Sequence, residues 1–576
     1  MKRSILLICL SFVFAVQMGY SQKYKALVGG TTINTHNNKI IENSIILIKD
    51  SVIIDIGEKI KTKIPDKTEI IDISGKYIIP GLMDGHIHFF QSGGLYARPD
   101  GLDLRHRVPY IDEINWIKKD TKDFFNRYLA CGITSIADMG GPFWNFNIRQ
   151  QSYNNGMAPR TFTTGPLIAS YSPAKLADDD LPIIKVNNEK EALDLVEKEL
   201  NYKPDFIKIW YVLLKDNPNS LEEFFPIVKA VIDRSHKAGL PVFVHATELE
   251  TAKKAIEAGC DVLVHNINNK EVDEEFLKMA KDKGIILIPT NWVFSSYAAV
   301  YSKQLKLLPV EQWLGDPKVI GSLYDMYELD YSELGERQRQ LLVEKKPVVQ
   351  SEILKNNLKK IYDYGIIIAA GTDAGNVGVI HGPSLFHEFA FMAEAGLTPH
   401  QILVSATLNG AKLFGNDKIL GSIEKNKLAD LVILNSNPLE DILNTSDVYA
   451  VMKNGGELLY PDSLIQRSAA DLAQIQLNAY NAHDIESFLQ AYSNDVEVYS
   501  FPDSLRFRGK EQLRQVYSDF FEKTPELHCK LVSRMIKGNF AIDSELVTGI
   551  PERDNLTAIA VYEIKNGLIK KVWFLP

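Results

Sequence analysis

The pattern of apolar and polar positions divides the chain into three stretches. From about Tyr24 to Tyr77, short β-rich runs such as Ser44–Ile48 and Ser51–Ile56 are broken by the polar pairs Lys49-Asp50 and Gly57-Glu58. A middle stretch holds eight strand candidates: Ile79–His88, Ile133–Asp138, Thr161–Gly165, Phe206–Trp210, Val242–Ala246, Val262–Asn266, Ile285–Thr290 and Ile366–Thr372. Helical periodicity separates most of them, for example at Leu221–Ala238, Glu250–Ala258 and Val272–Lys283. Short strand-like runs return at Gly421–Ile423, Ala429–Leu434 and Val448–Met452. Past Pro461 the spacing of Leu472, Ile475, Leu477 and Tyr480 predicts a helix. An amphipathic helix at Lys510–Phe521 and three strand-like runs ending in Ile569–Phe574 complete the chain.

Alternating β and α elements over this length predict an α/β fold, a (β/α)8 TIM barrel, whose functional groups lie at the C-terminal ends of the strands. Two connections are long. One runs from Phe89 to about Trp116, the other from Asn291 to about Val349. Stretches of that size in a compact domain are usually functional. The second carries Trp292, Phe294, Tyr297, Tyr301, Trp313, Tyr324, Tyr327 and Tyr331. It reads as a partly helical lid or as a plain helical insertion on the barrel rim.

Composition narrows the class. The chain has 576 residues, 45% hydrophobic and 24% charged, values typical of soluble globular protein and too long for one ordinary domain. A net charge of −9 leaves no basic surface for nucleic acid. Lys2 and Arg3, the apolar run Ile5–Val16 and the small residues of Gly19-Tyr20-Ser21 form the pattern of a signal peptide over 1–21. It predicts a secreted or periplasmic protein with no stable membrane anchor. Cys131, Cys260 and Cys529 are odd in number and widely spaced, which is no disulfide framework. Cys131 and Cys260 precede strands and read as small core residues.

The chemistry sits at the strand ends. In Asp84-Gly85-His86-Ile87-His88 the two histidines project from one face of a strand, half of a zinc site. The last strand candidate ends in Gly371-Thr372-Asp373. A His-x-His closing a first strand and an aspartate closing a last one is the pattern of a metallohydrolase barrel. On these residues the chain resembles the amidohydrolase superfamily, in particular its imidazolonepropionase-like and dipeptidase-like members.

That resemblance implies more. Lys208 lies mid-strand in Phe206-Ile207-Lys208-Ile209-Trp210, where a buried ammonium is costly. Either its head reaches the barrel mouth, or, as the family implies, CO2-derived carboxylation makes it an anionic bridge between two metals. His245 and His265 agree with the family's fifth- and sixth-strand ligands. The implied metal set is His86, His88, Lys208, His245, His265 and Asp373, holding two divalent metal ions, by default zinc. Asp373 is the implied proton carrier, and His265 is expected to help orient or polarise the substrate. Tyr211, His381 and Arg105 are candidate substrate contacts, the arginine by its fork geometry, as are Arg98 and Arg107.

The two ends of the barrel region are implied to fold together as a composite β-sandwich over 22–80 and 416–462, beside a barrel over 81–415. Asn426 stands where the family usually has glycine, and asparagine tolerates a left-handed turn. Tyr480-Asn481-Ala482-His483-Asp484 and Phe507-Arg508-Gly509-Lys510-Glu511 resemble the cone-shaped NTF2-like, or SnoaL-like, α+β domain, expected over 465–576. It reads as an accessory binding or dimerisation module, which would make the protein a homo-oligomer. The expected activity is hydrolysis of a small-molecule C–N bond, in a dipeptide or N-acyl amino acid. A cyclic amide, as in imidazolonepropionase-like members, is the alternative. A small-ligand binding protein working through the cone domain is the third reading.

Overall fold

The computed structural model describes residues 23–176, 180–344 and 346–575. The expected signal peptide lies outside them. Among the described residues, no helix is long and apolar enough to cross a membrane.

The run expected as one strand, Ile79–His88, is two. Tyr77–Pro80 pairs antiparallel with Leu431–Leu434, and Leu82–Ile87 pairs parallel with Ile133–Asp138. Gly81 is the joint. Its N–H donates to Asp430 O, and that of Leu82 donates to Gly132 O. A Cβ at Gly81 would lie 2.1 Å from Thr134 Oγ1, so the chain changes sheets where only glycine fits.

Strands from both sides of the central region share one sheet, in the order Leu458–Leu459, Val448–Met452, Leu431–Leu434, Tyr77–Pro80, Thr31–Ile33 and Ile40–Ile41. A four-stranded sheet of Val52–Glu58, Ser44–Lys49, Tyr24–Val28 and Glu69–Asp72 packs on it through Leu27, Ile46, Ile48, Ile78, Leu431 and Ile433. Asn426 adopts φ +71°, as its place in the turn requires.

The central strands form two parallel sheets. One contains Arg160–Thr163, Ile133–Asp138 and Leu82–Ile87. The other runs Ile183–Lys185, Leu167–Ala169, Ile207–Trp210, Val242–His245, Val262–Val264, Ile286–Ile288 and Ile367–Ile368. Backbone bonds from Gly85 N to Ala370 O (2.8 Å) and from Asp373 N to His86 O (2.7 Å) tie the first strand to the segment after the last. The expected third strand, Thr161–Gly165, ends at Thr163, and a separate strand, Leu167–Ala169, follows Gly165-Pro166. Leu167–Ala169, not Arg160–Thr163, pairs with the lysine strand. Proline has no N–H for a ladder, which accounts for the break.

Alternation along Phe206–Trp210 sorts the side chains. Ile207 and Ile209 join the large core that includes helix residues Val228, Val231 and Ile232. Phe206 belongs to a second cluster with Phe243, Met83 and Ile288, against which Phe414 stacks. Cys131 and Cys260 are buried free thiols, as expected.

The second long connection is largely helical: Asn291–Tyr301, Pro309–Leu314, Pro317–Tyr324 and Glu336–Glu344. The C-terminal region has helices Ala469–Asn481, Ile485–Gln490 and Lys510–Lys523 on a six-stranded sheet. It is docked on that lid. Asn478 Nδ2 donates to Pro317 O at 2.8 Å, the Arg467 guanidinium lies 3.7 Å over the Trp313 ring, and Lys530 pairs with Glu328.

Asp430 fastens the sandwich to the parallel sheets. Its Oδ2 meets Lys453 Nζ at 2.7 Å and Arg160 Nη1 at 2.9 Å, and its Oδ1 accepts from Asn454 N. Burial alone would raise this carboxyl, but Lys453 and Arg160 hold it below the usual range. Asp430→Asn should destabilise the protein by about 3 kcal/mol, because it leaves a buried lysine unpaired. A thermal-unfolding midpoint unchanged at pH 7 would disprove this. The contribution should be complete above about pH 4 and fade only as pH falls below it, since the folded-state pKa is depressed.

Candidate metal centre

The strand ends bring the predicted ligands to one 420 Å³ cavity, lined by His86, His88, Lys208, His245, His265 and Asp373. His86 and His88 leave the first strand on the same side, with Nε2 atoms 3.3 Å apart. Asp373 Oδ1 lies 3.2 Å from the first and 3.3 Å from the second. These three form the group, among the described residues, whose ligand atoms converge closely enough to hold a metal ion. The His265 ring lies 5.1 Å from that of His86 and 4.4 Å from that of His245, which sets a second pair of imidazoles beside the first.

Electrostatics agree with a cation here. Lys208 Nζ is buried without a hydrogen-bond partner. Burial pushes its ammonium down to about 7 and His86 down to about 3, and it holds His245 and His265 well below the ordinary value. The imidazoles of His86, His245 and His265 are therefore neutral, the form that ligates metal. Burial would raise Asp373, but the facing His86 and His88 hold it well below the carboxylate range. Neutral nitrogens facing one another around a carboxylate are poorly satisfied alone and well satisfied by a shared divalent ion, so the residues present fit one.

Surrounding groups fix the rings. His88 Nδ1 lies 2.8 Å from Gly140 O, which turns Nε2 toward Asp373. His265 Nδ1 meets Thr290 Oγ1 at 2.7 Å. Asp84, buried, accepts from the Thr372 hydroxyl at 2.7 Å and from the His86 and Thr372 N–H groups. Burial pushes its carboxyl up to about 7. His265 and Asp373 have φ of +80° and +65°, a left-handed conformation rare outside glycine. Such strain is characteristic of functional sites, where neighbouring contacts impose it. Here the His265 N–H is held by Ile288 O and the Asp373 N–H by His86 O.

A family profile described as the Amidohydrolase family matches residues 77–458, more than half of the chain. The chain belongs to the amidohydrolase family. A profile for the SnoaL-like domain matches residues 474–572. An imidazolonepropionase from Alkaliphilus metalliredigens (strain QYMF) is 23% identical over 461 residues, covering 72% of this chain and 90% of that protein. Among solved structures, a Xaa-Pro dipeptidase with bound methionine aligns with TM-score 0.58 and 24% identity, over 76% of this chain and 100% of that one. The ochratoxinase of A. niger aligns with TM-score 0.56 and 20% identity, over 76% and 95%. These neighbours imply a TIM-barrel fold for the amidohydrolase region. The protein is thus a hydrolase acting on carbon–nitrogen bonds.

Of the five expected substrate contacts, Tyr211, His381, Arg105 and Arg107, the last forked onto Glu333, do not line the cavity of this amidohydrolase. Tyr211 is fully buried behind the lysine strand, where its hydroxyl donates to Leu221 O at 2.5 Å. A tyrosine one residue past Trp210 points to the opposite face of the strand, into the helix layer. His381 is buried below the loop after His88, stacked on Phe89, with Nδ1 near the Tyr128 hydroxyl and Nε2 near Gln91 O. It supports the loop's backbone. Arg105 is exposed and forks onto Asp103.

The fifth expected contact, Arg98, does line the cavity, beside residues of the loops around it. Arg98 forks onto Asp100, and its Nη1 donates to Asn376 Oδ1 at 2.7 Å. The Tyr297 hydroxyl donates to the same oxygen at 2.6 Å. Trp210 and Phe294 supply apolar wall and Arg337 stands at the exposed rim. Asn376 lies in the loop after Asp373, and Tyr297 and Phe294 in the aromatic run, so both regions were marked in the sequence. Arg337 carried no local signal.

Thr290→Val removes the oxygen that orients His265. It should weaken divalent-metal affinity about 10- to 100-fold with the fold intact. Competition with chelators of graded strength measures this, and unaltered affinity would remove Thr290 from the support of the site.

Proposed function

We propose that this amidohydrolase is an exported enzyme that hydrolyses dipeptides or N-acyl amino acids, with the parallel strands closed as a (β/α)8 barrel. The observation that carries the reading is the composition of one cavity: a buried His/Lys/Asp set at its floor, with Arg98, Arg337, Trp210 and Phe294 above it. An arginine at the rim suits a substrate carboxylate, and the aromatic wall suits an apolar side chain. The N-terminal charge and apolar pattern supports export.

His86, His88 and Asp373 would hold one divalent ion, and His245 with His265 a second, zinc being the default for this donor set. Bound there, divalent metal supplies Lewis acidity toward the amide carbonyl and acidifies water. Lys208 stands by both sets. Its neutral amine can add to CO2 and lose one proton, and the resulting carbamate is an anion that would bridge them. Asp373 is ionised, so it can accept the proton of the attacking water. With Oδ1 among the imidazoles, Oδ2 remains to carry that proton to the departing nitrogen. His265, with Nδ1 held by Thr290, keeps Nε2 for the second ion, so it would act on the carbonyl only by positioning that ion. Arg98, fixed by Asp100 and Asn376, keeps the far end of the substrate in register.

A cyclic amide is the second reading, favoured by the imidazolonepropionase relative that aligns over most of its length. A library of dipeptides, N-acyl amino acids and cyclic amides, assayed with metal-replete enzyme, separates the two. Turnover confined to cyclic amides would overturn the first. Metal-saturated enzyme should hold close to two ions per chain, and a single ion at saturation would remove Lys208 from a bridge. Lys208→Ala should lose activity, with partial rescue by short carboxylic acids. Asp373→Asn, compared at equal metal occupancy, should lower kcat far more than it raises KM.

A further inference from the structure

A second chamber, of 490 Å³, lies where three parts of the chain meet. They are the loop and helix after His88, the lid helix Pro317–Tyr324, and the SnoaL-like region's helix Ala469–Asn481 with its strand His528–Lys537. It shares no lining residue with the metal cavity.

Its charge is one-sided. Five carboxylates line it against Lys318 and Arg534. Both cations are engaged: Lys318 Nζ lies 4.2 Å over the Trp116 ring, and Arg534 forks onto Asp543 at 2.6 and 2.7 Å. Glu328 takes Lys530. Glu113 and Asp325 are left with neutral partners, the hydroxyls of Ser92 and Tyr96. Burial pushes Asp325 up to about 6 and raises Glu113 as well, and the nearby cations, Lys318 at Glu113 and Lys530 and Arg107 at Asp325, offset only part of the lost solvation.

An independent observation points to an occupant. His528 lines the same chamber at 7% exposure, and neither ring nitrogen has a hydrogen-bond partner. Burial pushes it down to about 4, so it is neutral and does not offset the carboxylates. A buried polar group without a partner is costly, and a ligand is one way to supply the partner. These acids do not converge as three donors on one point. Among the described residues, the group whose ligand atoms converge on a metal is His86, His88 and Asp373. Val108, Leu477 and Leu531 add apolar wall, which suits an organic body.

We propose that this chamber is a second ligand site, taking a small organic ammonium compound whose cation is held by Glu113 and Asp325 and whose apolar body packs on Val108, Leu477 and Leu531. The ligand touches all three parts of the chain. Glu113 accepts from Ser92, on the loop that follows the metal ligands, so occupancy bears directly on that loop.

Isothermal titration of the metal-replete full chain with 2-phenylethylammonium tests this, with 2-phenylethanol and 3-phenylpropionate as neutral and anionic counterparts. Saturable one-to-one binding of the ammonium compound is expected, with neither counterpart binding comparably. Glu113→Gln and Asp325→Asn should each weaken it at least about tenfold, whereas Asp373→Asn should not. Glu113→Gln also releases Ser92, so Leu531→Trp provides a second route: it fills the chamber from the SnoaL-like side and should abolish binding with the circular-dichroism spectrum unchanged. Absence of saturable binding, equal affinity for the alcohol, loss confined to Asp373→Asn, or a folded Leu531→Trp that binds normally would each overturn the proposal.

Discussion

The Lys208 side chain sits inside the parallel sheet with no hydrogen-bond partner, and a lone buried cation costs several kcal/mol. Most of the site is arranged around that cost. Burial disfavours the ammonium of Lys208 and the imidazoliums of His86 and His245 together, so the cavity floor offers nitrogen donors around one carboxylate with little positive charge of its own. A set like that is stable only when something positive and shared joins it. The fit of this candidate site to a divalent ion is therefore a consequence of how the strands bury these side chains.

Holding the set together takes backbone that would not adopt its shape unaided. His265 and Asp373 both sit at positive φ, and each is pinned by an N–H bond to a neighbouring strand. Farther out, the buried Glu388 accepts from the N–H groups of Asn291 and Trp292, the first residues of the lid helix. A carboxylate at a helix N-terminus meets unpaired donors and the positive end of the helix dipole. The start of the lid is thus anchored beside the metal centre, while Phe294 and Tyr297 reach into the cavity.

The far side of the lid rests on the SnoaL-like region. Trp313 lies beneath Arg467, Pro317 O accepts from Asn478, and Tyr327 stacks on His528 at 4.9 Å. One face of the insertion lines the cavity of the candidate metal centre and the other lines the acidic chamber. The C-terminal region is consequently a structural neighbour of the lid.

Much of this was legible in the chain itself. The His86–His88 spacing puts two imidazoles on one strand face whatever the surroundings, and Lys208, His245, His265 and Asp373 each end or interrupt an apolar run. Period and position along a strand are local properties, so sequence determines them. The split of the first strand at Gly81 was hidden because an unbroken apolar run does not say which sheet each half joins. Tyr211, His381 and Arg105 were misplaced for a related reason. Sequence proximity to a strand end does not reveal whether a side chain faces the mouth, the helix layer or solvent. Arg337 reaches the metal cavity, and Glu113, Asp325 and His528 reach one chamber, from segments more than two hundred residues apart. Only packing of the lid against both neighbours brings such groups together, because long-range proximity is set by which faces bury against each other.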